Sequence, residues 1–126
     1  MTRGTHYDLA VIGAGQGGGA LAGAFARAGK RFALIERLHV GGTCINEGCT
    51  PTKTIIASAR VAHVTRRSTD FGVHVGDVRV DLRKVRERKR EIVSSFRQGS
   101  EAALERAGVE LVRGNARFVG DCFRSR

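Results

Sequence analysis

The chain has 126 residues, of which 41% are hydrophobic and 27% are charged, a composition typical of a globular domain and not of a disordered chain. Its length predicts one domain with a small core. No apolar run approaches the roughly 18 residues that a membrane-spanning helix needs, and the apolar stretch at 9–14 is too short for a signal-peptide core. We therefore expect a cytoplasmic protein with no membrane partner.

The net charge of +10 arises from 22 basic and 12 acidic residues, and much of the basic excess lies between Arg60 and Arg97. One interpretation is a nucleic-acid-binding patch. The other is a solvated helix face, which we favour because acidic residues interrupt the run and apolar residues keep a helical spacing through it. We expect no specific nucleic-acid partner, although a basic nucleic-acid-binding protein remains an alternative function class.

The first 36 residues are predicted to form one βαβ unit. A short apolar run at 7–12 ends at glycine, which indicates a buried parallel strand. A glycine-rich turn follows at 13–19, then an alanine-rich helix at 20–28 with Gly29 as its C-terminal cap. A second buried strand is predicted at 31–36.

The rest of the chain is predicted to contain two long helices and two further strands. Pro51 suits the first position of a helix, and Asp81 suits the residue that caps one. The expected elements are, in order, a loop at 38–42, a helix at about 51–67, an irregular segment at 69–80, a helix after Asp81 that is interrupted at 98–100 and resumes to 107, a strand at 109–112 and a strand from 118. The tail from Gly120 is expected to complete no element, so we expect the chain to stop inside a domain.

The turn between the first strand and helix has the spacing G-x-G-x-x-G, with Gly13, Gly15 and Gly18 at the three fixed positions. In dinucleotide-binding proteins the first glycine permits a tight turn, the second lets the backbone approach a pyrophosphate, and the third lets helix and strand pack closely. The amides at the helix N-terminus then bind phosphate. The alternative is an ordinary glycine-rich turn, but the position between a strand and a helix favours a nucleotide site.

Glu36 ends the second predicted strand, 23 residues after Gly13. At about this spacing an acidic residue binds the ribose 2′-hydroxyl of a dinucleotide. A carboxylate repels a 2′-phosphate, so NADP is disfavoured at this site, whereas FAD and NAD both remain possible. The alternative is a surface carboxylate at a strand end.

Cys44 and Cys49 are five positions apart, which in a regular helix would separate their Cα atoms by about 7.5 Å. A disulfide needs roughly 4.4–6.8 Å, so pairing requires a distorted turn, for which Asn46 and Gly48 are suitable. A helix starting near Pro51 would lower the pKa of a thiol at its N-terminus, and Lys53 adds a nearby cation. The alternative is a pair of buried free cysteines.

The third cysteine, Cys122, has no comparable surroundings and is expected to be inert. Three cysteines do not indicate a structural disulfide framework in a cytoplasmic chain. A set of four suitably spaced ligands is missing, so we predict no metal site.

The segment from Gly41 to Lys53, Gly-Gly-Thr-Cys-Ile-Asn-Glu-Gly-Cys-Thr-Pro-Thr-Lys, resembles the signature of the class I pyridine nucleotide–disulfide oxidoreductases, with Thr52 where the family has Ser. This family includes dihydrolipoamide dehydrogenase, glutathione reductase and mercuric reductase. The resemblance implies an α/β fold. It would be a Rossmann-like FAD-binding domain of the glutathione-reductase type, incomplete, with long helices flanking the redox-disulfide segment.

The resemblance also implies a role for individual residues. Cys49 would be the charge-transfer thiol against the flavin, Cys44 the interchange thiol that meets the substrate, and Lys53 a neighbour of flavin N5. The residues expected to bind FAD are Gly13, Gly15, Gly18, Glu36, Gly42, Thr43, Lys53 and Ala116, the last through its backbone to the adenine.

The implied reaction of a complete member takes hydride from NAD(P)H to FAD and electrons from there to the dithiol. These electrons then pass to a small-molecule disulfide, dithiol or metal-ion partner. The amino-acid sequence around residues 50–60 is most similar to the mercuric-reductase-like branch of the family. Residues 1–126 would form a partial FAD-binding domain, without the NAD(P)-binding and dimerisation domains of the expected homodimer. Such a chain would lack turnover alone, and the alternatives are a nucleotide-binding module or an inactive truncated remnant.

Overall fold

Three short strands form a parallel sheet in the computed structural model, which describes residues 6–120 and 122–125, the last four by their backbone alone. The strands are β1 (Leu9–Ile12), β2 (Phe32–Glu36) and β3 (Glu110–Arg113), in the order β1-β2-β3. In register, Leu9 pairs with Phe32 and Ala33 pairs with Glu110. All five residues of the central strand β2 are buried, as expected of an apolar parallel strand. The predicted α/β fold with a parallel sheet is confirmed.

Helices connect and cover these strands. Among the described residues, the α-helices are α1 (Gln16–Arg27), α2 (Gly42–Asn46), α3 (Cys49–Arg66) and α4 (Leu82–Arg106), and a 3₁₀ turn lies at Ser68–Phe71. Asp81 caps α4 as predicted, because its Oδ1 accepts hydrogen bonds from the backbone N–H groups of Arg83 and Lys84 at 2.9 and 3.1 Å. No helix in the described ranges combines the length and apolar character needed to cross a bilayer.

The core lies where α1 and α4 meet the sheet. Leu34 at the centre of β2 is fully buried, and Ala22 of α1 is buried with it. Leu104 near the end of α4 completes the contact from the opposite end of the chain. The other buried members of this cluster are Ala14, Phe32, Val40 and Val109. The fold therefore packs the first forty residues against the C-terminal end of α4, around Leu104.

Two predictions about the helices were wrong. The helix does not break at 98–100, because α4 continues through Gly99 to Arg106. A helical glycine costs about 1 kcal/mol relative to alanine, but Val93 and Leu104 are buried on either side of it and hold both halves in place. Helix α3 begins at Cys49, so Pro51 is its third residue, whereas the first position was predicted.

The tail also forms an element that the sequence did not predict. Strand β4 (Ala116–Val119) pairs antiparallel with β5 (Cys122–Ser125), with Val119 opposite Cys122. Gly120 lies in the turn with φ of 63°, a backbone conformation that glycine adopts without steric cost. Apolar periodicity predicts a strand from Phe118, but it does not predict β5, because the turn between the two strands is short.

Helix α1 approaches β1 so closely that a side chain does not fit at Gly18. A Cβ atom built there would overlap the carbonyl oxygen of Gly13 and lie 3.1 Å from its carbonyl carbon. Gly19, the next residue of α1, has nothing within 4 Å of a built Cβ. The close packing assigned to the third glycine of the motif is thus present in this fold.

We predict opposite effects for alanine at these two neighbouring positions. Gly18→Ala should lower the free energy of unfolding by about 3 kcal/mol, since the backbone of Gly13 cannot move aside easily. Gly19→Ala is the matched control and should raise it by roughly 0.5–1 kcal/mol through helix propensity. Urea denaturation of both variants checks this, and equal stabilities would contradict the close packing.

Candidate functional site

The glycine turn, residues 13–18, leaves the N-terminus of α1 open at the end of the sheet. Gly13 has φ of 98°, and its N–H donates to the carbonyl of Ile35 at 2.7 Å. Gly15 caps α1, and no described side chain accepts hydrogen bonds from the first-turn amides. Those amides and the positive end of the helix dipole therefore face a site suited to phosphate.

Glu36 is a buried carboxylate at the end of β2, with 9% of its surface exposed. One oxygen accepts the N–H of Ala14 and the other accepts the N–H of Leu38, both at 2.8 Å. Burial raises the pKa of this carboxyl, but hydrogen bonds from backbone N–H groups, first that of Leu38, and the nearby Arg113 outweigh it and lower the pKa below its ordinary 4.5. Glu36 is therefore an ionised carboxylate hydrogen-bonded to the glycine turn, and not a carboxylate on the surface.

Two cavities meet at Glu36 and bring together most of the residues expected to bind a dinucleotide. The larger, of about 300 Å³, is lined by Ile12, Gly13, Ile35, Glu36, Arg37, Gly114, Asn115 and Ala116. The second, of about 170 Å³, is lined by Glu36, Arg37, Leu38, His39, Gly42, Thr43, Asn46 and Glu47. They form a groove along the carboxyl ends of the strands, where ligands bind in open α/β sheets.

The cysteine segment, residues 41–53, docks directly on the glycine turn. Gly41 donates its N–H to the carbonyl of Ala14 at 2.7 Å, and the Gln16 side chain donates to the carbonyl of Gly41 at 3.3 Å. A Cβ atom built on Gly42 would lie 2.8 Å from Cα of Gly15. The two motifs thus touch through backbone atoms, and larger residues would separate them.

The two cysteines lie at a break between two helices. Cys44 is in α2, and Cys49 is the first residue of α3. Between them, the N–H groups of Glu47 and Gly48 both donate to the carbonyl of Thr43, at 2.9 and 2.7 Å. The chain between the two cysteines is therefore not a regular helix. Asn46, however, is helical and contributes through its side chain, so its proposed backbone freedom was wrong.

Cys44 and Cys49 are free thiols in this structure, the first half-buried and the second exposed. The hydrogen bond with the Cys49 side chain is the main cause that raises the pKa of the Cys44 thiol above its ordinary 9.0. The backbone N–H of Cys49 and the Lys53 ammonium oppose this rise without reversing it. A lowered thiol pKa was expected from the helix N-terminus and Lys53, but at Cys44 the neighbouring Cys49 sulfur prevails and the pKa is raised.

The remaining predicted residues differ in how far the structure places them. Lys53 is exposed on α3 and close enough to affect the Cys44 thiol. Ala116 begins β4 and lines the larger cavity. The side chain of Cys122 lies outside the described part of the chain. Within that part, no group of three His, Cys, Asp or Glu side chains is placed to hold a metal ion.

Two arginines make contacts at this site that were not predicted. Arg97 of α4 donates from Nε to Oδ1 of Asn46 at 2.9 Å. Arg113 of β3 donates to the carbonyl of Leu38 at 3.1 Å and forms an ion pair with Glu101. Both arginines come from distant parts of the chain, and the sequence offered only their charge as a signal.

Comparison with known proteins agrees with this geometry. The family model described as pyridine nucleotide-disulphide oxidoreductase matches residues 7–124. The chain belongs to this family. The resemblance seen in the cysteine segment is confirmed, and with it the Rossmann-like type of the fold.

The chain is similar to several dihydrolipoyl dehydrogenases, two of which illustrate the range of organisms. The chain is 39% identical over 115 residues to a dihydrolipoyl dehydrogenase of Chlorobaculum parvum, which covers 91% of this chain and 24% of that protein. It is 41% identical over 117 residues to dihydrolipoyl dehydrogenase 2 of Haloarcula marismortui, covering 93% of this chain and 25% of that protein. The chain therefore spans about a quarter of the length of these relatives.

A solved structure is also similar. It is the copper(II) complex of the HOCl-induced flavoprotein disulfide reductase RclA from Escherichia coli, with a TM-score of 0.75 and 31% sequence identity. The match covers 98% of this chain and 25% of that one.

Glu36 makes the stability of the chain depend on pH in a defined direction. Because its pKa is lowered by folding, its contribution is complete above about pH 4.5 and is lost as the pH falls through the folded-state pKa. Glu36→Gln should cost about 1–3 kcal/mol at pH 7, and it should flatten the decline below pH 4.5. Urea unfolding from pH 7 to pH 3 measures both effects.

The control for this series is Glu105→Gln, which removes an exposed carboxylate with no described hydrogen bond or ion pair. It should leave the pH dependence of stability as in the parent chain. If Glu36→Gln and Glu105→Gln gave the same profile, the carboxylate of Glu36 would not be the group that holds the turn.

Removal of Cys49 should make Cys44 ionise at lower pH, because the main cause of its raised pKa disappears. In a Cys122→Ser background, Cys49→Ala should therefore increase the rate of Cys44 alkylation near neutral pH several-fold. Iodoacetamide kinetics as a function of pH, read by mass spectrometry, give the result. If the pH dependence of the Cys44 alkylation rate were unchanged or shifted to higher pH, the two thiols would not be coupled.

Proposed function

We propose that this chain is the flavin-binding and redox-dithiol part of a flavoprotein disulfide oxidoreductase of the dihydrolipoamide dehydrogenase type. The observation that carries the proposal is the docking of the cysteine segment on the glycine turn, with Gly42 against Gly15. A nucleotide held at the start of α1 would then lie beside the dithiol. Family membership and the names of the relatives support the same assignment.

The residues around the groove fit FAD. The open amides at the start of α1 would bind the pyrophosphate, and Glu36 has oxygen lone pairs left for ribose hydroxyls after accepting two backbone N–H groups. Ala116 lines the larger cavity, where its backbone would meet the adenine. Gly42 and Thr43 line the second cavity. When bound, FAD supplies a two-electron carrier between a nicotinamide nucleotide and the dithiol.

The chemistry of this chain's own residues is thiol–disulfide exchange. The Cys44 thiolate attacks one sulfur of a small-molecule disulfide and releases the other as a thiol, which leaves a mixed disulfide. Cys49 then attacks the Cys44 sulfur, so that the Cys44–Cys49 disulfide forms and the second substrate thiol leaves. Two electrons and two protons pass to the substrate, and in the dehydrogenase direction each step is reversed. The raised pKa of Cys44 and the Lys53 ammonium set how much thiolate is present.

For the substrate, we favour a small dithiol or disulfide of the dihydrolipoamide class, since the relatives carry that name. The metal-ion acceptor of the mercuric-reductase-like branch stays a prediction, as do NAD(P)H as co-substrate and a homodimer for the complete protein. A nucleotide-binding module or an inactive remnant is the alternative, and neither explains why two thiols lie in contact beside the turn.

The proposal is tested on the purified chain in a Cys122→Ser background, refolded with FAD and separated from free flavin. We expect a retained flavin absorption band, and two free thiols per chain that disappear together on mild oxidation and return with dithiothreitol. Cys44→Ser is the matched variant, which should retain the flavin and keep its single thiol under the same oxidation. A long-wavelength shoulder on partial reduction would support contact between Cys49 and the flavin ring.

The outcomes separate the alternatives. Retained flavin without reversible loss of thiols would favour a nucleotide-binding module. Loss of both flavin binding and cooperative unfolding would favour the inactive remnant.

A further inference from the structure

We propose that Arg97 of α4 is a positioning residue for the dithiol, acting through the side chain of Asn46. The inference rests on the proposed function, because it concerns how the two thiols are held for exchange. Arg97 lies 51 residues after Asn46 and belongs to neither the glycine turn nor the cysteine segment.

Asn46 is fixed by hydrogen bonds on both ends of its amide. Its Nδ2 donates to the carbonyl of Val40 at 3.1 Å and to that of Gly42 at 2.8 Å, which uses both N–H groups. The amide orientation therefore leaves Oδ1 facing away from this loop. Arg97 donates to that oxygen from Nε at 2.9 Å, and a bond from a charged donor is stronger than one between neutral groups.

Among the described residues, the Arg97 side chain makes no second hydrogen bond or ion pair that would explain its position. It is half-buried, and among the described residues it forms no ion pair with a carboxylate. By contrast, most basic residues of the N-terminal half of α4 are exposed. A half-buried guanidinium aimed at one amide oxygen acts as an anchor for that amide.

The anchored helix is too short to hold its own orientation. Helix α2 has five residues, and isolated helices need about 12–15 residues to be even marginally stable in water. Contacts with the rest of the fold therefore determine where Cys44 lies, and they comprise the buried side chain of Ile45 and a contact at each end of the helix. The first end is held by Gly42 against Gly15, and the last by Asn46 against Arg97.

Helix α4 also holds the helix that carries the other thiol. Arg88 donates from Nη1 to the carbonyl of Thr54 in α3 at 3.2 Å. The two arginines are nine residues apart on one helix, about 13.5 Å along its axis. Helix α4 thus supports α2 with Cys44 at one point and α3 with Cys49 at another, and the separation of the sulfurs depends on both.

Loss of the Arg97 anchor should weaken disulfide formation more than it alters either thiol alone. Close placement of two reacting groups raises their effective concentration, and a small displacement reduces it. We expect Arg97→Met to lower the equilibrium constant for forming the Cys44–Cys49 disulfide about threefold to tenfold. A tenfold decrease corresponds to a change of about 30 mV in the midpoint potential.

The experiment measures this constant in the full chain with Cys122→Ser, using glutathione redox buffers, acid quench, alkylation and mass spectrometry. The matched control is Arg86→Met, an exposed arginine on α4 with no described hydrogen bond or ion pair, which should leave the constant unchanged. Asn46→Ala should lower it as Arg97→Met does. The double variant should add little further, since both changes remove one interaction.

A constant for Arg97→Met equal to that of Arg86→Met would overturn the inference and leave the proposed function intact. Full additivity of Arg97→Met and Asn46→Ala would also overturn it. A parent chain that forms no intramolecular disulfide would overturn both. If Arg97→Met fails to fold, Arg97→Lys keeps the charge but not the fixed geometry of the guanidinium, and should lower the constant to a smaller extent. If Arg97→Lys left the equilibrium constant unchanged, the positioning role of Arg97 would be overturned.

Discussion

Backbone atoms meet at two places in this chain where no side chain would fit between them. At Gly18 the helix α1 approaches the carbonyl of Gly13, and at Gly42 the cysteine segment approaches Gly15. The first contact determines how the helix N-terminus is presented at the end of the sheet. The second determines how far the dithiol lies from that N-terminus. Because both contacts share the same six-residue turn, the nucleotide groove and the redox pair are parts of one arrangement.

Glu36 gives this arrangement its electrostatic character. Its carboxylate is buried between the two cavities and accepts the N–H groups of Ala14 and Leu38, which belong to the turn before it and the loop after it. A buried carboxylate is costly without hydrogen bonds, and the backbone amides that surround it compensate for its burial. The same residue that joins two loops thus places one negative charge in the groove. In the proposed site that charge would suit ribose hydroxyls and disfavour a 2′-phosphate.

Local patterns predicted the first half of the fold well, because strand β2, the glycine spacing and Glu36 each depend on neighbours a few residues away. The helix break at Gly99 was wrong because burial of Val93 and Leu104, not local propensity, decides whether that helix continues. The β4–β5 hairpin was missed because its pairing partner lies across a turn that carries little apolar signal. In the site, both motifs were predictable, whereas the contact of Asn46 with Arg97 was not, since no local pattern relates residues 51 positions apart.

This contact also bears on the basic character of the chain. The region from 60 to 97 carries much of the positive charge, and its charge pattern alone leaves open whether the arginines face a partner or the protein. Arg88 and Arg97 make hydrogen bonds within the protein, the first to the carbonyl of Thr54 and the second to the amide oxygen of Asn46. Such bonds need a long, charged donor that can cross between two helices, and arginine meets that need better than lysine because its fork has a fixed geometry. Part of the net charge is therefore a consequence of holding two helices, each with one thiol, against a third. The other basic residues of the N-terminal half of α4 are mostly exposed, as a solvated helix face requires.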